Sequence, residues 1–282
     1  MTKRKLSKRI IALIVCGAFL AFIAISCIAL QIYFKSADKI KCWLPDYDMQ
    51  NLTQILNKSE LDEDDYTLLY RQTGLTKTGV DRMLEKGENG KNRILNLQKQ
   101  FFTYHEVEND FFAPFVCTDF IGENITTVYL EDGDVLVTSS THFSGWRIGH
   151  AGLVTNASTN SILQANAYGD ATSIGGIKDF NDRVNFMILT PKTDKQTKEY
   201  VAKQAQENLL GKKYDIATGV FTNKNKINKT QCAHIVWYAY KTYGGIDIDG
   251  NRGPVVTPRN IANSPDMELI QVFGFDIDKL WH

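Results

Sequence analysis

The feature that most constrains this chain is a run of 25 residues without a charge, from Ile10 to Phe34. As an α-helix this run would be about 37 Å long, which exceeds the roughly 30 Å hydrocarbon core of a bilayer, so it is predicted to be a transmembrane anchor. Because basic flanks stay in the cytoplasm, we expect a single-pass cell-membrane protein with residues 1–9 as a cytoplasmic tail and residues after 34 outside. The basic residues of that tail are Lys3, Arg4, Lys5, Lys8 and Arg9.

Two alternatives for the apolar run involve cleavage. A signal peptide has an apolar core of about 7–15 residues that ends at small residues, whereas this run continues through Tyr33 and Phe34. The segment Ile23–Cys27 resembles a bacterial lipoprotein cleavage box, which would leave Cys27 acylated at a new N-terminus. An uncleaved anchor is favoured because the apolar run does not stop at Cys27.

The charge outside the tail argues against nucleic acid as a partner. The chain has 32 basic and 32 acidic residues, so removing the five basic residues of the tail leaves 27 against 32, a net charge of −5. Phosphate binding needs clustered Lys and Arg side chains, and no such cluster follows the anchor.

Three of the five cysteines lie outside the apolar run, which contains Cys16 and Cys27. Cys42, Cys117 and Cys232 are odd in number and widely spaced, so no disulfide framework is predicted and at most Cys42 and Cys117 pair. Cys232 is then left as a free thiol.

Residues 35–128 are predicted to form a helical spacer or cap. Helical patterns cover residues 62–72, 77–86 and 91–102 and are separated by glycine-containing turns. Two helices joined by a turn also occur in DNA-binding proteins, but the predicted location and charge exclude that class.

Residues 129–282 are predicted to form an α+β domain. Four β-rich runs separated by Gly, Asn, Asp and Ser predict an antiparallel sheet, at 134–138, 150–155, 161–165 and 184–189. Two helices follow, at 194–210 and 230–243, and a glycine ends each of them.

Cys232 is the candidate nucleophile. With Thr230 as the cap, Cys232 falls in the first turn of the second helix, where the helix dipole and unpaired N–H groups should lower the thiol pKa. Cys232 also lies on the face that packs inward, so a small buried core residue is the competing interpretation.

His150 is the candidate base, because it opens an apolar strand where a polar residue is out of place unless it faces a site. A nucleophilic cysteine needs such a base within hydrogen-bond reach, together with a third group that orients it. His142 is predicted to lie in a loop, and His234 points away because it is about 200° around the helix from Cys232. A satisfied structural histidine is the competing interpretation of His150.

Six short motifs follow one another in residues 129–282: Gly133–Val137, Gly149–Val154, Ile162–Ala165, Gly211–Asp215, Gln231–Trp237 and Thr257–Ser264. In this order they resemble the permuted papain-fold cysteine hydrolases of the NlpC and YiiX-YebB-like type. Circular permutation in that family places the strand histidine before the helix cysteine, which is the order of His150 and Cys232 here.

The resemblance implies a permuted papain-like antiparallel sheet packed on helices, with Cys232 as nucleophile and His150 as base. Gln164 occupies a position where relatives commonly have an acidic residue. Its neutral amide can orient the imidazole but cannot stabilise imidazolium by charge, and we expect Gln164→Glu to keep or raise activity. Tyr214 matches a position near the cleft and is a candidate oxyanion donor, with a packed aromatic ring as the alternative. No cofactor and no metal are implied.

The sequence therefore predicts a hydrolase that attacks amides or acyl esters through a thioester. The resemblance allows peptides, cell-wall fragments among them, and acyl lipids, and it does not choose between them. A non-catalytic wall-peptide or lipid binding module with the same fold is the main alternative. A metal site formed by His142, His150, Cys232 and His234 is another, although their spacing matches no familiar zinc pattern.

Overall fold

The structure is a computed structural model that describes residues 7–37, 40–113, 116–143, 146–167 and 169–281. Lys3, Arg4 and Lys5 of the predicted tail lie outside the described residues. Helix α1, Lys8–Ala37, contains the apolar run. In the described part of the chain, it is the one helix whose length and composition suit a bilayer: Lys8–Tyr33 has a mean hydropathy of 2.8 and is not buried against the protein.

The three helices predicted after the anchor are present, with small shifts at their ends. They are α3 (Glu63–Thr73), α4 (Lys77–Leu84) and α5 (Glu88–Phe101), preceded by the short α2 (Thr53–Leu56). Asp62 and Asp65 form a capping box at the start of α3, and Gly74 ends that helix with a φ of 71°.

Two strands, β1 (Glu108–Ala113) and β2 (Val116–Phe120), also lie within the stretch that the sequence predicts to be helical. They form a four-stranded sheet with β4 (Thr141–Phe143) and β5 (Trp146–Arg147), in the order β1-β2-β4-β5. The loop prediction for His142 is therefore wrong. His142 pairs with Cys117 and Arg147 across this sheet, a non-local pairing that sequence periodicity does not reveal.

The main sheet has six strands in the order β12-β9-β3-β6-β7-β8, and every neighbouring pair in it is antiparallel. The strands are β3 (Val135–Thr138), β6 (His150–Asn156), β7 (Ser161–Gln164), β8 (Ser173–Gly175), β9 (Phe186–Pro191) and β12 (Met267–Phe273). The predicted antiparallel sheet is thus confirmed.

Four more helices and a small parallel strand pair complete the fold. The helices are α6 (Lys178–Asn181), α7 (Lys195–Asn208), α8 (Cys232–Ala239) and α9 (Pro258–Ala262), and the pair is β10 (Lys213–Tyr214) with β11 (Lys229–Thr230). A π-helical turn, Tyr240–Gly244, extends α8. Helices α7 and α8 both pack against β6, so the core of the sheet lies under these two helices.

Helices α2 to α5 share one hydrophobic core with the main sheet. Thr76 Oγ1 donates to the carbonyl of Leu269 over 2.8 Å, and Arg82 of α4 pairs with Asp134 over 2.6 Å. The molecule is therefore a mixed α+β fold with antiparallel sheets and an N-terminal apolar helix.

Candidate functional site

His150 is held at the start of β6 by three neighbours. Its Nε2 lies 2.8 Å from Oε1 of Gln164, and its ring stacks on Phe180 with centroids 5.3 Å apart. Gly149, with a φ of 68°, turns the chain into the strand, and a side chain there would overlap the Thr138 carbonyl and Trp281. These contacts fix the buried imidazole in one orientation.

Asp179 lies behind Gln164 and determines how its amide is oriented. Nε2 of Gln164 donates a short hydrogen bond to Oδ2 of Asp179, which also accepts from the backbone N–H of Gly176 over 3.1 Å. Because the amide N–H is used in this way, Oε1 of Gln164 accepts from the Nε2–H of His150. The neutral imidazole then carries its lone pair on Nδ1, the tautomer that a general base needs.

Cys232 is the first residue of α8, as expected, but the residue that caps this helix is Gln231 and not Thr230. Oε1 of Gln231 accepts from the backbone N–H of Ala233 over 2.8 Å, and its Nε2 donates to the carbonyl of Val256. The hydroxyl of Thr230 instead lies 2.8 Å from Nδ1 of His234. Gln231 thus joins the start of α8 to the loop before α9.

The thiol of Cys232 is protonated in the resting protein. Burial raises its pKa to about 11, and this outweighs the backbone N–H groups of Ala151 and Ala233 and the charge of Arg183, which lower the pKa. The S–H group accordingly donates to Oε1 of Gln231 over 3.5 Å. The backbone N–H groups at the helix start do lower the thiol pKa, as expected, but desolvation of the buried sulfur is the larger effect and makes the net shift upward.

The imidazole of His150 is neutral as well. Burial, followed by the positive charge of Arg183, lowers its pKa to about 3, while the hydrogen bond that it donates to Gln164 opposes the shift. Arg183 keeps its charge at neutral pH, although burial lowers its pKa to about 10. The resting site therefore contains a thiol, an imidazole and a guanidinium cation.

One cavity of about 1280 Å³ brings the predicted residues together. Cys232, His150 and Tyr214 all line its wall, and Gln164 lies behind His150. Tyr214 is half-buried in β10, and burial together with the nearby Cys232 raises the pKa of its phenol, which therefore stays a hydrogen-bond donor. All four predicted residues thus lie in or directly behind the wall of one cavity.

Sequence reasoning missed Asp179, Arg183 and Gln231. Gln231 could have been found, because it immediately precedes the cysteine at a helix start. Asp179 and Arg183 lie in a polar stretch, Lys178–Arg183, that reads as an exposed turn, yet Arg183 is only 5% exposed.

His142 and His234 have partners outside this arrangement. His234 contacts Thr230 and the carbonyl of Lys224, and His142 lies 3.5 Å from Asp119. Within the described ranges no three His, Cys, Asp or Glu side chains are grouped as a metal site would need. The four residues of the metal alternative therefore do not form a ligand set.

Comparisons with known proteins add little to this geometry. No protein-family profile matches the chain. No curated protein matches it in sequence. One solved structure, described as metalloprotein yiiX from Escherichia coli O157:H7, DUF1105, is similar over 50% of this chain and 97% of its own, with 14% identity and a TM-score of 0.40.

Proposed function

We propose that this protein is a membrane-anchored cysteine hydrolase with a permuted papain-like site, in which Cys232 is the nucleophile and His150 the base. One observation carries the proposal: a thiol at the first position of a helix and an imidazole oriented by Gln164 line the same cavity. A nucleophile, a base and an orienting group are the parts that covalent acyl transfer requires.

The reaction begins from a neutral pair. As Sγ of Cys232 attacks the substrate carbonyl, Nδ1 of His150 takes the thiol proton, and the imidazolium then gives this proton to the leaving amine or alcohol. A thioester remains on Cys232. Water attacks it with His150 again as base, which releases the acid and returns the proton to sulfur.

The negative charge on the oxygen of the tetrahedral intermediate needs hydrogen-bond donors in the cavity wall. The backbone N–H of Cys232 belongs to the first turn of α8, whose N–H groups have no partner within the helix, and the phenol of Tyr214 lines the same cavity.

The proposed location is a cell membrane, with α1 as the single span, residues 1–9 in the cytoplasm and the cavity outside. The length and hydropathy of α1 and the basic residues before it support this topology. Protease protection in oriented membrane vesicles tests it, since cleavage of the folded region from the cytoplasmic side contradicts the proposed orientation.

Hydrolysis is tested with the full chain in detergent micelles, supplied with cell-wall peptides in one arm and acyl esters in the other. We expect Cys232→Ala and His150→Ala to lose activity by about a thousandfold or more, and Cys42→Ala to retain it. A covalent acyl adduct on Cys232, detected by mass spectrometry, is the expected intermediate. Activity that survives in Cys232→Ala contradicts the proposal.

The raised thiol pKa favours one second candidate, a non-catalytic binding module with the same fold. Such a module retains substrate in its cavity without turnover. Binding of the same peptides or esters with no acyl adduct and no difference between the native chain and Cys232→Ala would identify it.

A further inference from the structure

Arg183 is a cation buried in the wall of the cavity that Cys232 and His150 also line. Its Nε donates to the carbonyl of Asp179, and its Nη1 donates to Oγ1 of Thr141 over 2.8 Å and to Oγ of Ser140 over 3.5 Å. All three acceptors are neutral oxygens. They position the guanidinium without an ion pair, and the carboxylates of Asp179 and Asp182 act on its charge only through space.

The contacts of Arg183 leave part of the guanidinium available to a ligand. Among the described residues it forms no ion pair with a carboxylate, its hydrogen bonds use only Nε and Nη1, and its other contacts are with the rings of Phe120 and Phe180. The cavity's other basic side chains differ from it: Arg147 is paired with Asp119 over 2.6 Å, and Arg259 is exposed to solvent. Because burying an unpaired cation is costly, a buried guanidinium on a cavity wall indicates an anionic ligand.

We propose that Arg183 binds an anionic oxygen group, a carboxylate or phosphate, on the molecule that occupies the cavity. Nη2 provides two N–H donors for charge-assisted hydrogen bonds to such a group. Apolar side chains line other parts of the wall, including Ile148, Ile216 and Val255, so the body of the ligand is apolar. That the bound molecule is a substrate rests on the proposed hydrolase function, whereas the binding of an anionic group does not.

The position of Arg183 also permits a different role, in which its charge acts on the sulfur. Arg183 lowers the pKa of Cys232 through their charge interaction, so removing it would make the thiol less reactive toward every reagent. A test must therefore separate reactivity of the sulfur from recognition of the ligand's charge. The ratio of the rates at which an anionic and a neutral reagent alkylate Cys232 makes this separation, because a change in the thiol pKa alters both rates by the same factor.

The experiment compares alkylation of Cys232 by anionic iodoacetate and neutral iodoacetamide in the full chain, followed by peptide mass spectrometry. The iodoacetate-to-iodoacetamide ratio at Cys232 is expected to exceed that of a free small-molecule thiol by about tenfold. In Arg183→Gln the ratio should fall to the small-molecule value. The matched control Arg259→Gln, which removes an exposed cation from the same cavity, should keep the native ratio.

Two outcomes overturn the inference. One is that Arg183→Gln slows both reagents by the same factor, which would assign Arg183 to the sulfur alone. The other is that Arg259→Gln, and not Arg183→Gln, abolishes the preference.

A measurement on the native chain covers the case in which Arg183→Gln does not fold. Hexanoate and hexyl phosphate should protect Cys232 from iodoacetamide about tenfold better than neutral hexanamide, and equal protection overturns the inference. Acetate and inorganic phosphate, which lack the apolar body, should protect less than their hexyl counterparts, and equal protection by them contradicts the apolar part. Anion preference without hydrolysis would refute only the proposed function, and hydrolysis without anion preference would refute only the role of Arg183.

Discussion

His150 and Gln164 lie on the adjacent strands β6 and β7, with Nε2 of the imidazole 2.8 Å from Oε1 of the amide. The other end of the same amide is bonded to the carboxylate of Asp179. The histidine is thus connected to a negative charge through a neutral side chain. An acidic residue at position 164 would contact the imidazole directly, whereas here the carboxylate lies one residue further back.

We call the hydrogen-bonded series His150, Gln164 and Asp179 the relay. It reverses the expectation that the sequence alone gives for the activity of Gln164→Glu. The new carboxylate would lie against Oδ2 of Asp179 and would remove the N–H donor that this oxygen now uses. We expect a lower unfolding midpoint, a loss of stability of about 1–3 kcal/mol and reduced kcat/KM.

The double variant Gln164→Glu with Asp179→Asn is the matched control for this prediction. The asparagine amide can donate to the new carboxylate, so stability and kcat/KM should recover toward native values. A single Gln164→Glu variant as active and stable as the native chain would show that the relay is unimportant.

Gly175 offers a way to break the relay without changing any of its members. A Cβ at Gly175 would overlap both Nε2 of Gln164 and Oδ2 of Asp179, whereas a Cβ at Gly176 meets nothing closer than 4.0 Å. Gly175→Ala should therefore lower the stability by about 1–3 kcal/mol and reduce hydrolysis, and Gly176→Ala should do neither. Thermal unfolding and kcat/KM measured on both variants check this, and equal effects would contradict it.

The sequence predicted the parts of the site that local patterns encode. Cys232 follows a polar cap residue and begins an apolar helix, and His150 interrupts an apolar strand, so both stand out from their neighbours. Asp179 and Arg183 could not be found in this way, because they reach the site through the hairpin of β7 and β8 and the short helix α6. The thiol pKa was mispredicted for a related reason: the helix terminus is a local property, whereas burial depends on the whole fold.

Arg82 of α4 connects the helical region to the strand that precedes the site. Its guanidinium lies 2.6 Å from the fully buried carboxylate of Asp134, next to β3. Arg82→Ala should lower the free energy of unfolding by about 3–5 kcal/mol, because it leaves that carboxylate without a counter-charge. Lys77 lies on α4 as well, and Lys77→Ala, which breaks an exposed pair with Glu63 of α3, should change the free energy of unfolding little. Denaturant unfolding of the two variants gives the comparison, and similar losses would mean that burial of the pair is unimportant.

The protonated resting thiol makes a prediction about the alkylation of Cys232. With a pKa of about 11, the rate with iodoacetamide should rise by about tenfold for each pH unit through the neutral range and beyond, because only the thiolate reacts. Mass spectrometry of the labelled peptide as a function of pH measures this rate. A rate that is already constant at neutral pH would show that the helix terminus outweighs burial after all.

The neutral imidazole of His150 makes the protein sensitive to acid. In the unfolded chain His150 binds its proton near its usual pKa of 6.5, whereas in the folded chain the pKa is about 3. Between these values the unfolded state holds more protons, so stability is complete above pH 6.5 and falls by up to about 1.4 kcal/mol per pH unit as the pH decreases toward 3. His150→Gln, which cannot be protonated at this position, should lose less stability over the same range, so its unfolding midpoint should approach or exceed that of the native chain in acid. The contrary result is that the unfolding midpoints of the two proteins fall in parallel as the pH decreases. It would mean that His150 does not take up a proton on unfolding and that the burial of its neutral form contributes nothing to the pH dependence.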